Sequence, residues 1–139
     1  MAENEELENP NDKRILIVDD DEGQMDLISM LVEREGFKVD KAVDGASALK
    51  KALAETPDLI LLDLMLPGMG GYELVGALQA EGLTAVPVII ISARTLDRKT
   101  IDRFGMEPNV KGFMQKPPKP VALAGLMHSQ LKTQPIVRV

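Results

Sequence analysis

Five polar residues stand where a predicted strand stops. Asp19 and Asp20 follow Ile15 to Val18, Asp63 follows Leu59 to Leu62, Ser92 follows Val86 to Ile91, and Lys116 follows Lys111 to Gln115. Carboxylates brought to one place repel, and their pKa values rise unless a cation neutralises them. A hard divalent ion such as Mg2+ takes oxygen ligands octahedrally, from one or two carboxylates plus water and phosphate oxygens. Asp20 and Asp63 are the expected direct ligands, with Asp19 acting through water. A carboxylate also serves as a nucleophile that forms an aspartyl-phosphate. The transferred group then needs positive charge and hydrogen-bond donors around its equatorial oxygens. The cation, the Lys116 ammonium and the Ser92 hydroxyl would supply three such groups.

Such chemistry requires elements that bring these residues together. Ile15–Val18 reads as a short buried strand, followed by a helix over Glu22–Glu35 with Met25, Ile28, Leu31 and Val32 at helical spacing and Gly36 as its stop. Phe37–Lys41 alternates as an edge strand would, and Gly45–Ala54 reads as a second helix. The third strand, Leu59–Leu62, leads through a Pro-Gly loop (Leu66 to Gly71) to a helix over Tyr72–Ala80. Val86–Ile91 is expected as a strand, Leu96–Phe104 as a polar helix, Lys111–Gln115 as a short strand and Pro120–Leu131 as a last helix. Apolar strands separated by helices imply a parallel sheet covered on both faces. Five βα units give a three-layer, doubly wound α/β architecture. Ligands of such sheets lie beyond the carboxyl ends of the strands, where all five polar residues stand. The second strand ends in nothing comparable.

The 139 residues suit one domain. With 45% hydrophobic residues but only 3% aromatic, the core must be aliphatic. The absence of cysteine excludes disulfides and thiolate metal sites. No basic-then-apolar leader and no membrane-spanning run is seen, so a soluble cytoplasmic protein without a membrane partner is expected. A net charge of −6 argues against direct binding of nucleic acid. Residues 1–12 read as an acidic solvated tail, 13–132 as the domain, and 133–139 as a tail or the start of a linker. His128 is expected at the surface of the last helix.

Four segments, ILIVDDDE, LILLDLMLPGMGGYEL, VIIISAR and GFMQKP, occur in this order. Together they resemble the receiver domain of two-component response regulators, from about Lys13 to about Leu131. The resemblance implies a flavodoxin-like (βα)5 fold with strand order 2-1-3-4-5 and Mg2+ as cofactor. By position it makes Asp63 the phosphoacceptor, Asp19 and Asp20 the acidic pair, Ser92 the switch hydroxyl and Lys116 the invariant lysine. It further implies the main-chain carbonyl of Met65 as a metal ligand and a cis Lys116–Pro117 peptide. Phe113, three residues before the lysine, matches the aromatic that turns inward when the hydroxyl moves toward the phosphoryl group. Many relatives carry Tyr there. Phe has no hydroxyl to favour a solvent-facing rotamer, which biases the balance toward burial. Arg94 and Met65 would flank the path of attacking water.

The implied partners are a sensor histidine kinase or phosphotransfer protein as donor and a downstream protein as target. The domain would be a signalling module rather than an enzyme, catalysing only its own phosphorylation and dephosphorylation. The alternative is a phosphate-independent pseudo-receiver. It would require a lost site residue, and its one support is the departure at Pro108-Asn109-Val110-Lys111, where relatives carry acids used in receiver pairing. The motifs are most like receivers of winged-helix transcription factors, although an output domain is not expected within these residues. An aspartate-nucleophile phosphohydrolase would need a second acid where Met65 stands. A flavin carrier would need a hydroxyl- and glycine-rich loop after the first strand, and Tyr72 is the sole aromatic besides Phe.

Overall fold

The computed structural model describes residues 6–66, 68–93 and 96–136. Five strands alternate with five α-helices among them: β1 (Arg14–Val18), α1 (Glu22–Arg34), β2 (Lys38–Ala42), α2 (Gly45–Ala54), β3 (Leu59–Asp63), α3 (Gly71–Ala80), β4 (Val88–Ser92), α4 (Arg98–Gly105), β5 (Val110–Gln115) and α5 (Pro120–Leu131). Every pairing is parallel and the order is β2-β1-β3-β4-β5, the order implied by the resemblance.

Alternation along the strands divides the core in two. Leu16, Val18, Ile60, Leu62, Val88 and Ile90 face α2, α3 and Phe104 of α4. Ile15, Ile17, Leu59, Leu61, Ile89 and Ile91 face α1 and α5. β3 and β4 are buried at every position, which explains why each is apolar up to its last residue, Asp63 or Ser92. Each such Leu or Ile contributes roughly 1.5–3 kcal/mol by leaving water. α5 can lie close to β5 because Gly112 has no side chain; a Cβ there would sit 2.9 Å from Leu126 Cδ2.

Local chemistry sets the boundaries. Asp21 caps α1 by accepting from the Gln24 N–H at 3.0 Å. α4 starts at Arg98, not Leu96, because the Asp97 carboxylate caps the Thr100 N–H at 2.7 Å. β4 starts at Val88, not Val86, since Pro87 has no N–H to give the ladder. Only Phe104 of α4 is buried. Its turn is tied to α3 by polar contacts: the Tyr72 hydroxyl donates to Glu107 at 2.9 Å, and Gln79 donates to Glu107 and Asn109. Arg103 lies 3.7 Å above the Tyr72 ring centre.

Two expectations need correction. The described part of the N-terminal segment is exposed except at Pro10, but it is tied to the domain rather than a free tail. Pro10 is buried in a short 3-10 turn, the Glu8 N–H donates to the Lys132 carbonyl, and the Gln134 N–H donates to the Glu8 carbonyl, both at 2.9 Å. This pairs Glu8 with Thr133 and also holds the start of the expected C-terminal tail. His128 is buried, not at the surface: one ring nitrogen meets Thr133 Oγ1 at 2.7 Å and the other meets Glu35 Oε1 at 3.0 Å. α5 is apolar nearly all round, so its sequence does not reveal which side faces inward. Among the described residues no helix is long and apolar enough to cross a membrane.

Candidate functional site

The strand order reverses between β1 and β3, and this brings their carboxyl ends side by side. Asp19 and Asp63, each one step along, are therefore neighbours, and both are buried. The N–H of Asp19 donates to the Ala42 carbonyl at 3.1 Å, continuing the β1–β2 ladder into the site. One oxygen of Asp19 accepts the Asp21 N–H at 2.9 Å; the other accepts from Lys116 Nζ at 2.6 Å. Asp63 accepts the Met65 N–H at 3.1 Å and faces the same ammonium at 3.2 Å. Asp20 is exposed, and oxygens of Asp19, Asp20 and Asp63 lie within 4.8 Å of one another.

Lys116 reaches this point because its N–H donates to the Ser92 carbonyl at 2.7 Å, locking the end of β5 to the end of β4. The Lys116–Pro117 peptide is cis, as expected.

Two buried carboxylates share one ammonium, and the exposed Asp20 adds a third negative charge beside them. Burial pushes the Asp63 carboxyl above its usual range and the Asp19 charge pushes it further; the Met65 N–H and Lys116 oppose this incompletely. Burial alone would lower the Lys116 pKa, but its hydrogen bond to Asp19 and the charges of Asp63 and Asp19 together raise it. The donor set is all hard oxygen, carries excess negative charge and opens to a cleft of about 490 Å³. It fits a small divalent cation held by carboxylates and water.

Asp20, Asp63, Met65 and Lys116 line that cleft, and the Met65 side chain is half exposed. Ser92 is wholly buried at the end of β4, beneath the exposed Ala93 that reaches the cleft. Phe113 is half-buried on β5 opposite Ile90, packed against the α2–α3–α4 core. Arg94 lies outside the described residues. Gln24 of α1 also lines the cleft and was missed from the sequence. Asp20 lies before the cap of α1, so helical spacing from it carries no signal, and nothing in the sequence singles Gln24 out.

A family model, the response regulator receiver domain, matches residues 15–128. The chain is 36% identical over 121 residues to the DNA-binding response regulator MtrA of Mycolicibacterium smegmatis, covering 86% of this chain and 51% of that protein. It is 40% identical over 108 residues to the alkaline phosphatase synthesis transcriptional regulatory protein PhoP of Bacillus subtilis, covering 78% and 44%. The chain thus spans about half the length of these relatives. Among solved structures, a CheY-like response regulator receiver domain protein from Methanospirillum hungatei superposes with a TM-score of 0.76 at 28% identity, covering 86% of this chain and 93% of that one. Sequence, strand order and rim chemistry agree: this chain belongs to the response-regulator receiver domain family.

Proposed function

We propose that the domain is a phosphorylation switch in which Asp63 accepts a phosphoryl group from the phosphohistidine of a sensor kinase or phosphotransfer protein. An Asp63 oxygen forms the new bond to phosphorus as the phosphorus–nitrogen bond of the donor breaks. The imidazole leaves with that electron pair and takes up a proton from solvent. The reading is carried by one observation: Asp63 sits at the crossover with its carboxylate facing Lys116 and beside the Asp19–Asp20 pair. Asp20, Asp63 and the Met65 carbonyl would hold Mg2+, with Asp19 acting through water. The bound cation supplies positive charge against the phosphoryl oxygens. Lys116 takes one of those oxygens, and the Ser92 hydroxyl turns toward another. Phe113 then fills the space beside β4, and a downstream protein reads the changed surface. The domain acts in the cytoplasm and meets proteins, since a net charge of −6 gives it no electrostatic attraction to nucleic acid.

Intact mass after incubation with Mg2+ and acetyl phosphate tests this reading. One phosphoryl adduct is expected on the wild type, absent from Asp63→Asn and absent when the cation is chelated. If no adduct forms with several donors and beryllium fluoride leaves the spectra unchanged, the domain is a phosphate-independent binding module.

A further inference from the structure

Among the described residues, three buried side-chain polar atoms lack a hydrogen-bond partner: Gln24 Oε1, Ser29 Oγ and Asn109 Nδ2. Only Gln24 belongs to a residue lining the acidic cleft. A buried amide oxygen without a donor is unfavourable, and Gln24 borders a cleft where a small turn of its side chain would give that oxygen one. The first turn of α1 is fixed: the Asp21 carboxylate holds the Gln24 N–H, and Asp21 is itself tied to Asp19. Gln24 is thus placed by the same residues that place the acids.

A cation bound by these carboxylates keeps several waters. Such waters are strong donors, because the cation draws electron density from their oxygens. An amide oxygen accepts two hydrogen bonds and adds no charge. We infer that Gln24 is an outer ligand of the cation site, its side-chain oxygen accepting from a cation-bound water and thereby setting Mg2+ affinity. The inference rests on the cation-site reading above. It makes Gln24 a positioning residue that acts through water and touches neither phosphorus nor the nucleophile. Outer ligands of this kind typically change metal affinity by about 10–100-fold when removed.

The test is calorimetric titration of the full chain with Mg2+ alone, without phosphodonor. Gln24→Leu keeps helix propensity and bulk but removes the acceptor, and it is expected to weaken Mg2+ binding about tenfold. Gln24→Glu keeps the acceptor and adds a negative charge, so it is expected to tighten binding. Opposite shifts in the two variants separate an acceptor from a residue that merely fills space. Thermal unfolding without Mg2+ checks that each variant is folded; if Gln24→Leu does not fold, Gln24→Met, also without an amide oxygen, takes its place with the same weakening expected. Wild-type binding with Gln24→Leu unchanged overturns this inference alone. Weakening by Gln24→Leu only when beryllium fluoride is added also overturns it, because the residue would then touch the phosphoryl mimic. No Mg2+ binding by the wild type removes both this inference and the cation site.

Discussion

Two buried polar clusters lie at opposite edges of one sheet, and they are built differently. At the carboxyl edge Asp19 and Asp63 share the single Lys116 ammonium, with Asp20 open to solvent beside them. At the amino edge the imidazole of His128 spends one nitrogen on Glu35 and the other on Thr133, with the Phe37 ring 5.0 Å away. The first cluster has more acid than base; in the second both imidazole nitrogens are engaged. A matched buried cluster ties elements together, here the ends of α1 and α5. A mismatched one raises the free energy of the empty fold and lowers that of the occupied one, which is how a binding site differs from a brace.

The largest effect that sharpens this contrast is expected at the brace. His128→Ala removes packing from the base of α5 and leaves Glu35 without its imidazole, at a cost of about 3 kcal/mol in urea unfolding. The fraction phosphorylated by acetyl phosphate, per folded molecule, should not change. A loss of phosphorylation with stability intact would break the comparison.

The mismatched edge should respond with the opposite sign. In buffer free of divalent ions, Asp63→Asn is expected to raise stability by about 1 kcal/mol, read as a few degrees in Tm. The pH dependence follows from the raised pKa of Asp63. The folded state binds its proton more readily than the unfolded chain, so the penalty is complete above the folded pKa. It shrinks as pH falls toward the ordinary value of 3.8 and is gone below it. The gap between Asp63→Asn and wild type should close over that window, and a gap independent of pH would remove electrostatics as its cause. The smallest effect is expected at the α3–α4 link, where Tyr72→Phe loses one half-exposed hydrogen bond and about 0.5 kcal/mol in the same unfolding measurement.

What was legible in the sequence follows the same division. The rim could be read because its members stand at the ends of predicted strands, and a parallel sheet delivers strand ends to one place whatever the intervening helices do. Element starts were misplaced by a residue or two where a single group decides, as Pro87 does for β4 and Asp97 for α4. The brace was illegible. Glu35 and His128 are 93 residues apart, and neither residue type at its position signals a partner. Gln24 was hidden in another way: a glutamine near a helix start looks solvated until the cleft beside it is drawn. The docking of Glu8 on Lys132 and Gln134 rests on main-chain groups, which carry no residue signature at all.

The chain holds one tyrosine and no tryptophan, so its ultraviolet emission beyond that of phenylalanine comes from Tyr72 alone. That phenol donates its hydrogen bond to the Glu107 carboxylate, an arrangement that dims tyrosine by drawing off its proton in the excited state. Any movement of the α4–β5 turn away from α3 would lengthen this bond and brighten the protein. The domain therefore carries its own dye at the joint between two helices, and a fluorimeter can follow that joint without a label.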